Sequence, residues 1–128
     1  MEIILVDTCI LIDYTRRKPE VVDFIERIGK DNFCINSIIE MELLQGALNG
    51  KELEKIKKDL QQFLLLPIQQ EIMKDATQLL SAYKLSHQAK IPDMIIAATA
   101  RFYEIELRSY NLKDFRFIPH LRVNNELF

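Results

Sequence analysis

Glu2-Ile3-Ile4-Leu5-Val6-Asp7-Thr8-Cys9 stands near the head of the chain. Ile3 to Val6 reads as an apolar strand of the kind buried on both faces, which is the kind found in parallel sheets. The strand stops on an acid, Asp7, at its carboxyl end, where open α/β sheets place ligand-binding residues, and a hydroxyl, Thr8, follows at once.

Outward from that strand, the pattern alternates. Ile10 to Tyr14 reads as a short helix, Arg16-Arg17-Lys18-Pro19 punctuates, and Glu20 to Ile28 carries Val21, Phe24, Ile25 and Ile28 at helical spacing until Gly29 stops it. Phe33-Cys34-Ile35 is a second strand, after which Asn36 or Ser37 caps a helix running to about Ala47. Asn49-Gly50 makes a turn into an amphipathic helix, Lys51 to Phe63, so the two helices form a hairpin. Leu64-Leu65-Leu66 is a third strand closed by Pro67. A long helix from Gln69 to about Leu85 follows, then a loop through His87 and Lys90, and the very apolar helix Asp93 to Tyr103. Ile105 to Arg108 is a fourth strand, Asn111 to Asp114 a helical turn, and Phe115 to Ile118 a last strand. Strands alternating with helices predict an α/β fold, a sheet of four to five mostly parallel strands between helical layers.

The composition sets bounds. A chain of 128 residues with 48% hydrophobic content suits one domain, 1–128, with a core that needs neither disulfide nor structural zinc. Cys9 and Cys34 lie in no metal-binding spacing and read as free thiols in a reducing compartment. The apolar run at the N-terminus ends at Asp7 and lacks a basic flank, so neither signal peptide nor membrane span is expected, and the cytoplasm is the default location. A net charge of -2 argues against a basic surface for duplex binding, yet permits a nuclease whose bound cations reverse the local potential.

Four acids stand where strands end or helices turn: Asp7, Glu42, Asp93 and Asp114. Each has a plain structural explanation beside the chemical one. Asp7 or Thr8 suits a helix N-cap. Glu42, or equally Glu40, projects from a helix that is apolar nearly all round, with Gly46 one turn later. A lysine partner for the acid and close helix packing at the glycine would account for them. Asp93 after Pro92 suits a first helical turn by macrodipole alone. Asn111 with Asp114 three residues on resembles a capping box. A dehalogenase-like phosphatase also begins with a strand ending in Asp, but Cys9 occupies the place of its second acid.

Taken together, four blocks carry a resemblance. Leu5-Val6-Asp7-Thr8, Ser37 through Glu42-Leu43-Leu44-Gln45-Gly46, Ile91-Pro92-Asp93 through Ala100, and Ser109-Tyr110-Asn111-Leu112-Lys113-Asp114-Phe115 occur in the order and spacing of PIN-domain ribonucleases. The chain most resembles VapC-like toxins of VapBC-type toxin–antitoxin systems. The resemblance implies a PIN-like three-layer α/β/α sandwich, and its Glu-Leu-x-x-Gly register selects Glu42 over Glu40. It implies Asp7, Glu42, Asp93 and Asp114 as catalytic and metal-binding residues, with Thr8, Ser109 and Asn111 as polar support. Departures are Tyr110, where a short polar or basic residue is commoner, and His87, in a loop that often carries glycine.

Carboxylates without imidazole or thiolate neighbours select Mg²⁺ or Mn²⁺. The activity implied is metal-dependent endoribonuclease cleavage leaving a 5′-phosphate and a 3′-hydroxyl, with RNA as substrate, a cognate antitoxin bound near the helical hairpin, and a homodimer. Arg16, Arg17, Lys18, Lys113 and Arg116 are the cations expected at the mouth, and Leu11, Ile12, Phe24 and Leu48 belong either to the core or to an antitoxin groove. His87 and His120 read as loop or surface residues, with His87, near the start of the Asp93 helix, in a position to touch substrate. The competing functions are a PIN-like binding module without catalysis, whose signature would be loss of an acid, and a housekeeping RNA-maturation nuclease.

Overall fold

A computed structural model of the chain describes residues 3–127. In chain order the elements are β1 (Ile4–Val6), α1 (Thr8–Thr15), α2 (Pro19–Ile28), a 3-10 turn (Lys30–Asn32), β2 (Phe33–Ile35), α3 (Ser37–Gln45) and α4 (Gly50–Leu60). β3 (Leu64–Leu65), α5 (Gln70–His87), α6 (Ile91–Tyr103), β4 (Glu106–Arg108), α7 (Leu112–Phe115) and β5 (Val123–Asn124) follow.

The five strands form one sheet in the order β3-β2-β1-β4-β5, and every pairing is parallel. β1 lies at the centre, with Leu5 facing Cys34 on one side and Leu107 on the other. It has no free edge and is covered by helices, which is why Ile4, Leu5 and Val6 are all buried. The chain steps from β1 outward to β2 and β3, then returns across the sheet to β4 and β5. Parallel neighbours need crossover connections, which the helices between the strands supply. α1 lies against α2, α3 and α4, α5 lies along α6, and α3 also meets α6. The reversal of strand order falls between β1 and β4, the place where such sheets open a crevice beyond their carboxyl ends.

Local sequence explains the element ends. The Asn36 side chain accepts a hydrogen bond from the Ile39 N–H at 3.0 Å, so Asn36 rather than Ser37 is the cap of α3. Asn49 does the same for α4 through Glu52 at 2.8 Å, and Gly50 is already helical, so the expected turn is a cap. Gly29 ends α2 at φ 101°, a conformation that L side chains rarely adopt. α6 starts with Pro92 in its first turn and buries every residue from Met94 to Ala100.

The strand expected over Phe115 to Ile118 does not form. Phe115 ends α7, the Ile118 N–H bonds the Phe115 carbonyl at 3.0 Å, and both side chains are buried. Apolar residues three apart face the same way on a helical turn, so spacing that fits a short strand here serves a turn instead. The fifth strand is Val123–Asn124. Leu64 and Leu65 form an edge strand and remain about half exposed, at 50% and 48%. Leu11 and Phe24 are fully buried core, whereas Leu48 is exposed. Among the described residues, no helix is long and apolar enough to cross a membrane.

Candidate active site

The carboxyl ends of β1 and β4 meet at the crevice. Asp7 is the N-cap of α1 and lies almost wholly buried, at 5% exposure. Its backbone N–H donates to the Arg108 carbonyl at 2.9 Å, which continues the β1–β4 ladder one residue past the strand. Its carboxylate accepts from the Thr8 N–H at 2.8 Å, from the Ser109 hydroxyl at 2.7 Å and, at 3.7 Å, from the Cys9 thiol. The capping explanation for Asp7 is therefore true, but it accounts for one oxygen only. The other is gripped across the crevice by Ser109, itself fully buried. Burial pushes the Asp7 carboxyl above its ordinary value, against the pull of these three hydrogen bonds, and the charge of Asp114 adds to the rise.

Glu42 reaches the same place from α3. Its carboxylate accepts the Thr8 hydroxyl at 2.7 Å, so Thr8 joins Asp7 by its backbone to Glu42 by its side chain. Among the described residues Glu42 has no lysine partner; Glu40 instead lines a separate groove with Lys57. Gly46 is exposed at the end of α3, and a Cβ there would meet only the Leu43 and Glu42 carbonyls at ordinary distances, 3.5 and 3.7 Å. Close helix packing is not its reason.

Asp93 enters from the first turn of α6. Its carboxyl is pushed up to about 7, first by burial, then by the charges of Asp7, Asp114 and Glu42, with Lys90 opposing. The order of those causes puts all four acids in one electrostatic neighbourhood. α7 carries Asp114 and leaves it exposed; the Asp114 N–H bonds the Asn111 carbonyl at 2.9 Å, but Asn111 makes no side-chain cap, so the capping box does not form. Asn111 supports the site through its backbone, its N–H donating to the Ser109 hydroxyl at 3.0 Å.

Among the described residues, none of the four acids is in an ion pair, and no three ligating side chains stand round one point closely enough to hold an ion as they lie. The donor chemistry nevertheless suits a hard divalent cation: four carboxylates with hydroxyl support, no imidazole, and burial together with unbalanced like charge that lifts Asp93. Among the described residues, the carboxylates of Asp93 and Asp114 accept no hydrogen bond, so their rotation is not opposed by one.

Three sets of positioning contacts were not visible in the sequence patterns. The Asn36 amide donates to the Thr99 hydroxyl at 2.9 Å, which ties the start of α3, the helix of Glu42, to α6, the helix of Asp93. The signal for it was a lone threonine in the apolar run of α6. Cys9 touches both Asp7 and Ser109, and burial beside Asp7 raises its thiol, keeping it protonated. Tyr110 donates to Asp13 at 3.0 Å, tying the end of β4 to α1. Of the five cations expected at the mouth, Arg17 pairs with Asp59 through both nitrogens, at 3.1 and 3.0 Å, and Lys18 lies 3.6 Å from Asp13. Those two brace α1 against its neighbours. Arg16 lines a separate cleft with Asn49 and Lys51, while Lys113 and Arg116 line one with Asp114.

The sequence matches the model of the PIN domain over residues 4–118. The chain is 27% identical over 120 residues to Ribonuclease VapC10 of Mycobacterium tuberculosis, covering 93% of this chain and 90% of that one. Among solved structures, a chain of a toxin-antitoxin complex from Klebsiella pneumoniae is 31% identical and superposes with a TM-score of 0.78, with 97% of each chain covered. A chain of VapBC2 from Rickettsia felis, bound to a DNA fragment from their promoter, superposes at 0.84 with 20% identity, covering 97% of this chain and 98% of that one.

Proposed function

Since the chain belongs to the PIN-domain family, we propose that it is an endoribonuclease, the toxin of a toxin–antitoxin pair, dependent on Mg²⁺ or Mn²⁺ and acting in the cytoplasm. The observation that carries the reading is the convergence of acids at the carboxyl ends of β1 and β4, where Thr8 bonds Asp7 by its N–H at 2.8 Å and Glu42 by its hydroxyl at 2.7 Å, and where burial and these neighbours raise the Asp93 carboxyl with no ion pair among the described residues to offset them. Structural acids are ordinarily paired or hydrogen-bonded. All four acids are present, which counts against a PIN-like module that only binds.

Asp7, Glu42 and Asp93 are the principal ligands in this proposal, with Asp114 serving a second ion or a bound water. The divalent ion, when bound, supplies charge neutralisation at the scissile phosphate and a water of lowered pKa. The chain's own residues do the rest. Ser109 and the Thr8 N–H fix both oxygens of Asp7, and the Thr8 hydroxyl fixes Glu42, so two ligands keep their orientation without reorganising during the reaction. A cation held beside Asp93 would favour its ionised form, opposing the burial and like charges that raise its carboxyl. RNA is the substrate, the partner is a small antitoxin, and the toxin is a homodimer. The relatives' names supply the antitoxin; the exposed Leu48 and the cleft beside Arg16 and Asn49 lie near the helical hairpin where such a partner would dock.

The test is induced expression in cells followed by sequencing of RNA ends. New 5′-phosphate ends at a small number of positions, absent when Asp7→Asn is expressed to the same level, are the expected result. Identical ends with both proteins would sink the reading.

A further inference from the structure

A second feature opens beside Asp114. A cleft of about 550 Å³ is lined by His87, Lys90, Lys113, Asp114, Arg116 and Phe117, among others. One wall is aromatic: His87 stacks on Phe117 with ring centroids 4.2 Å apart and planes 19° from parallel, and Tyr83 backs Phe117 at 5.0 Å. His87 is exposed, with Tyr83 also edge-on to it at 5.6 Å, and its Nδ1 lies within 2.7 Å of the Ser86 hydroxyl, which sets the ring. The chain turns at once through Gln88, in the left-handed region at φ 55°, so that Lys90 returns to the same cleft before α6 begins. Lys113 and Arg116 come from α7 and its end, on either side of Asp114 in sequence. Among the described residues, none of the three cations is in an ion pair.

We propose that this cleft is a nucleotide subsite, in which an unpaired RNA base next to the scissile phosphate stacks on His87 while Lys90, Lys113 and Arg116 hold the flanking phosphates. The inference rests on the nuclease reading above and deepens it. Stacking on an aromatic platform with cations along the backbone is how single strands are held without regard to sequence, and a base inside a duplex cannot reach such a platform. Asp114 belongs to both places, so the subsite adjoins the acids. An apolar peptide would leave three cations unused, which is why a polyanion fits better.

The test measures binding of a short fluorescein-labelled single-stranded RNA by anisotropy in EDTA, and its cleavage with Mn²⁺. His87→Ala is expected to weaken binding and raise KM about tenfold with kcat little changed, and His87→Phe to restore both. Arg116→Ala should lessen the slope of log affinity against log salt by about 0.7. The same sequence annealed to its complement should not register the His87 change. If wild type binds and cleaves the single strand and His87→Ala does so equally well, the subsite is overturned while the nuclease stands. If His87→Phe fails where His87→Ala fails, stacking is overturned in favour of a polar role for the imidazole. If folded wild type neither binds nor cleaves RNA, the nuclease reading falls and the subsite with it.

Discussion

Asp7 and Glu42 are gripped by hydroxyls at 2.7 Å, from Ser109 and Thr8, whereas Asp93 and Asp114 stand on helix turns with no hydrogen bond to their carboxylates among the described residues. The first pair is positioned by neutral donors, Ser109 just past the end of β4 and Thr8 at the start of α1. In the second pair, Asp93 is governed by burial and by the charges of its neighbours, so it answers to pH and to cations, while Asp114 stands exposed beside it. The difference separates a preorganised half of the site from a responsive half, and each half makes its own prediction.

The largest effect should come from the gripped half. Asp7→Asn keeps the volume and the Thr8 and Ser109 contacts within reach but removes the charge, and should lower the cleavage rate by at least about two orders of magnitude with the fold intact by circular dichroism. Undiminished cleavage in a contaminant-free assay would count against Asp7. Next comes its support. Ser109→Ala leaves a buried carboxylate oxygen short of a donor, and should cost about 10- to 100-fold in metal affinity or activity together with about 1–3 kcal/mol of stability. If Ser109→Ala matches wild type in urea unfolding and in metal titration, the grip on Asp7 is incidental.

The smallest effect belongs to the responsive half. A carboxyl raised in the folded state stabilises the fold most at low pH, below its unfolded value near 4, and that stability is lost as pH rises through the folded value of about 7. In EDTA, the melting temperature of wild type should therefore fall across that window, and Asp93→Asn should flatten the curve, leaving a residual slope from Asp7. Added Mn²⁺ should raise the melting temperature of wild type at neutral pH and that of Asp93→Asn much less. Parallel pH curves, or equal shifts with Mn²⁺, would remove the distinction between the two halves.

The legible part of this molecule was its local order. β1 announced itself because a strand buried on both faces needs apolar residues at every position, and Asp7 stood out because it breaks that run. The apolar stretch from Met94 to Ala100 announced a helix packed inside, since no surface helix is dry all round. Phe115 and Ile118 misled for the opposite reason: two buried residues three apart fit a turn of helix or a short strand equally, and only the hydrogen bonds decide. The five expected mouth cations read alike in sequence, yet Arg17 and Lys18 are tied to Asp59 and Asp13 while Lys113 and Arg116 line the cleft beside Asp114.

By itself the sequence determined the α/β alternation, the acid at the end of β1, and four acidic positions in a recognisable order, because periodicity and chain-local chemistry depend only on neighbours along the chain. Tertiary structure alone decided that Ser109 grips Asp7 from 102 residues away, that Thr8 bridges to Glu42, and that Asp93 feels three other carboxylates. Hydrogen bonds and charge coupling act over a few ångströms of space, and distance along the chain says nothing about them until the sheet has brought its strand ends together.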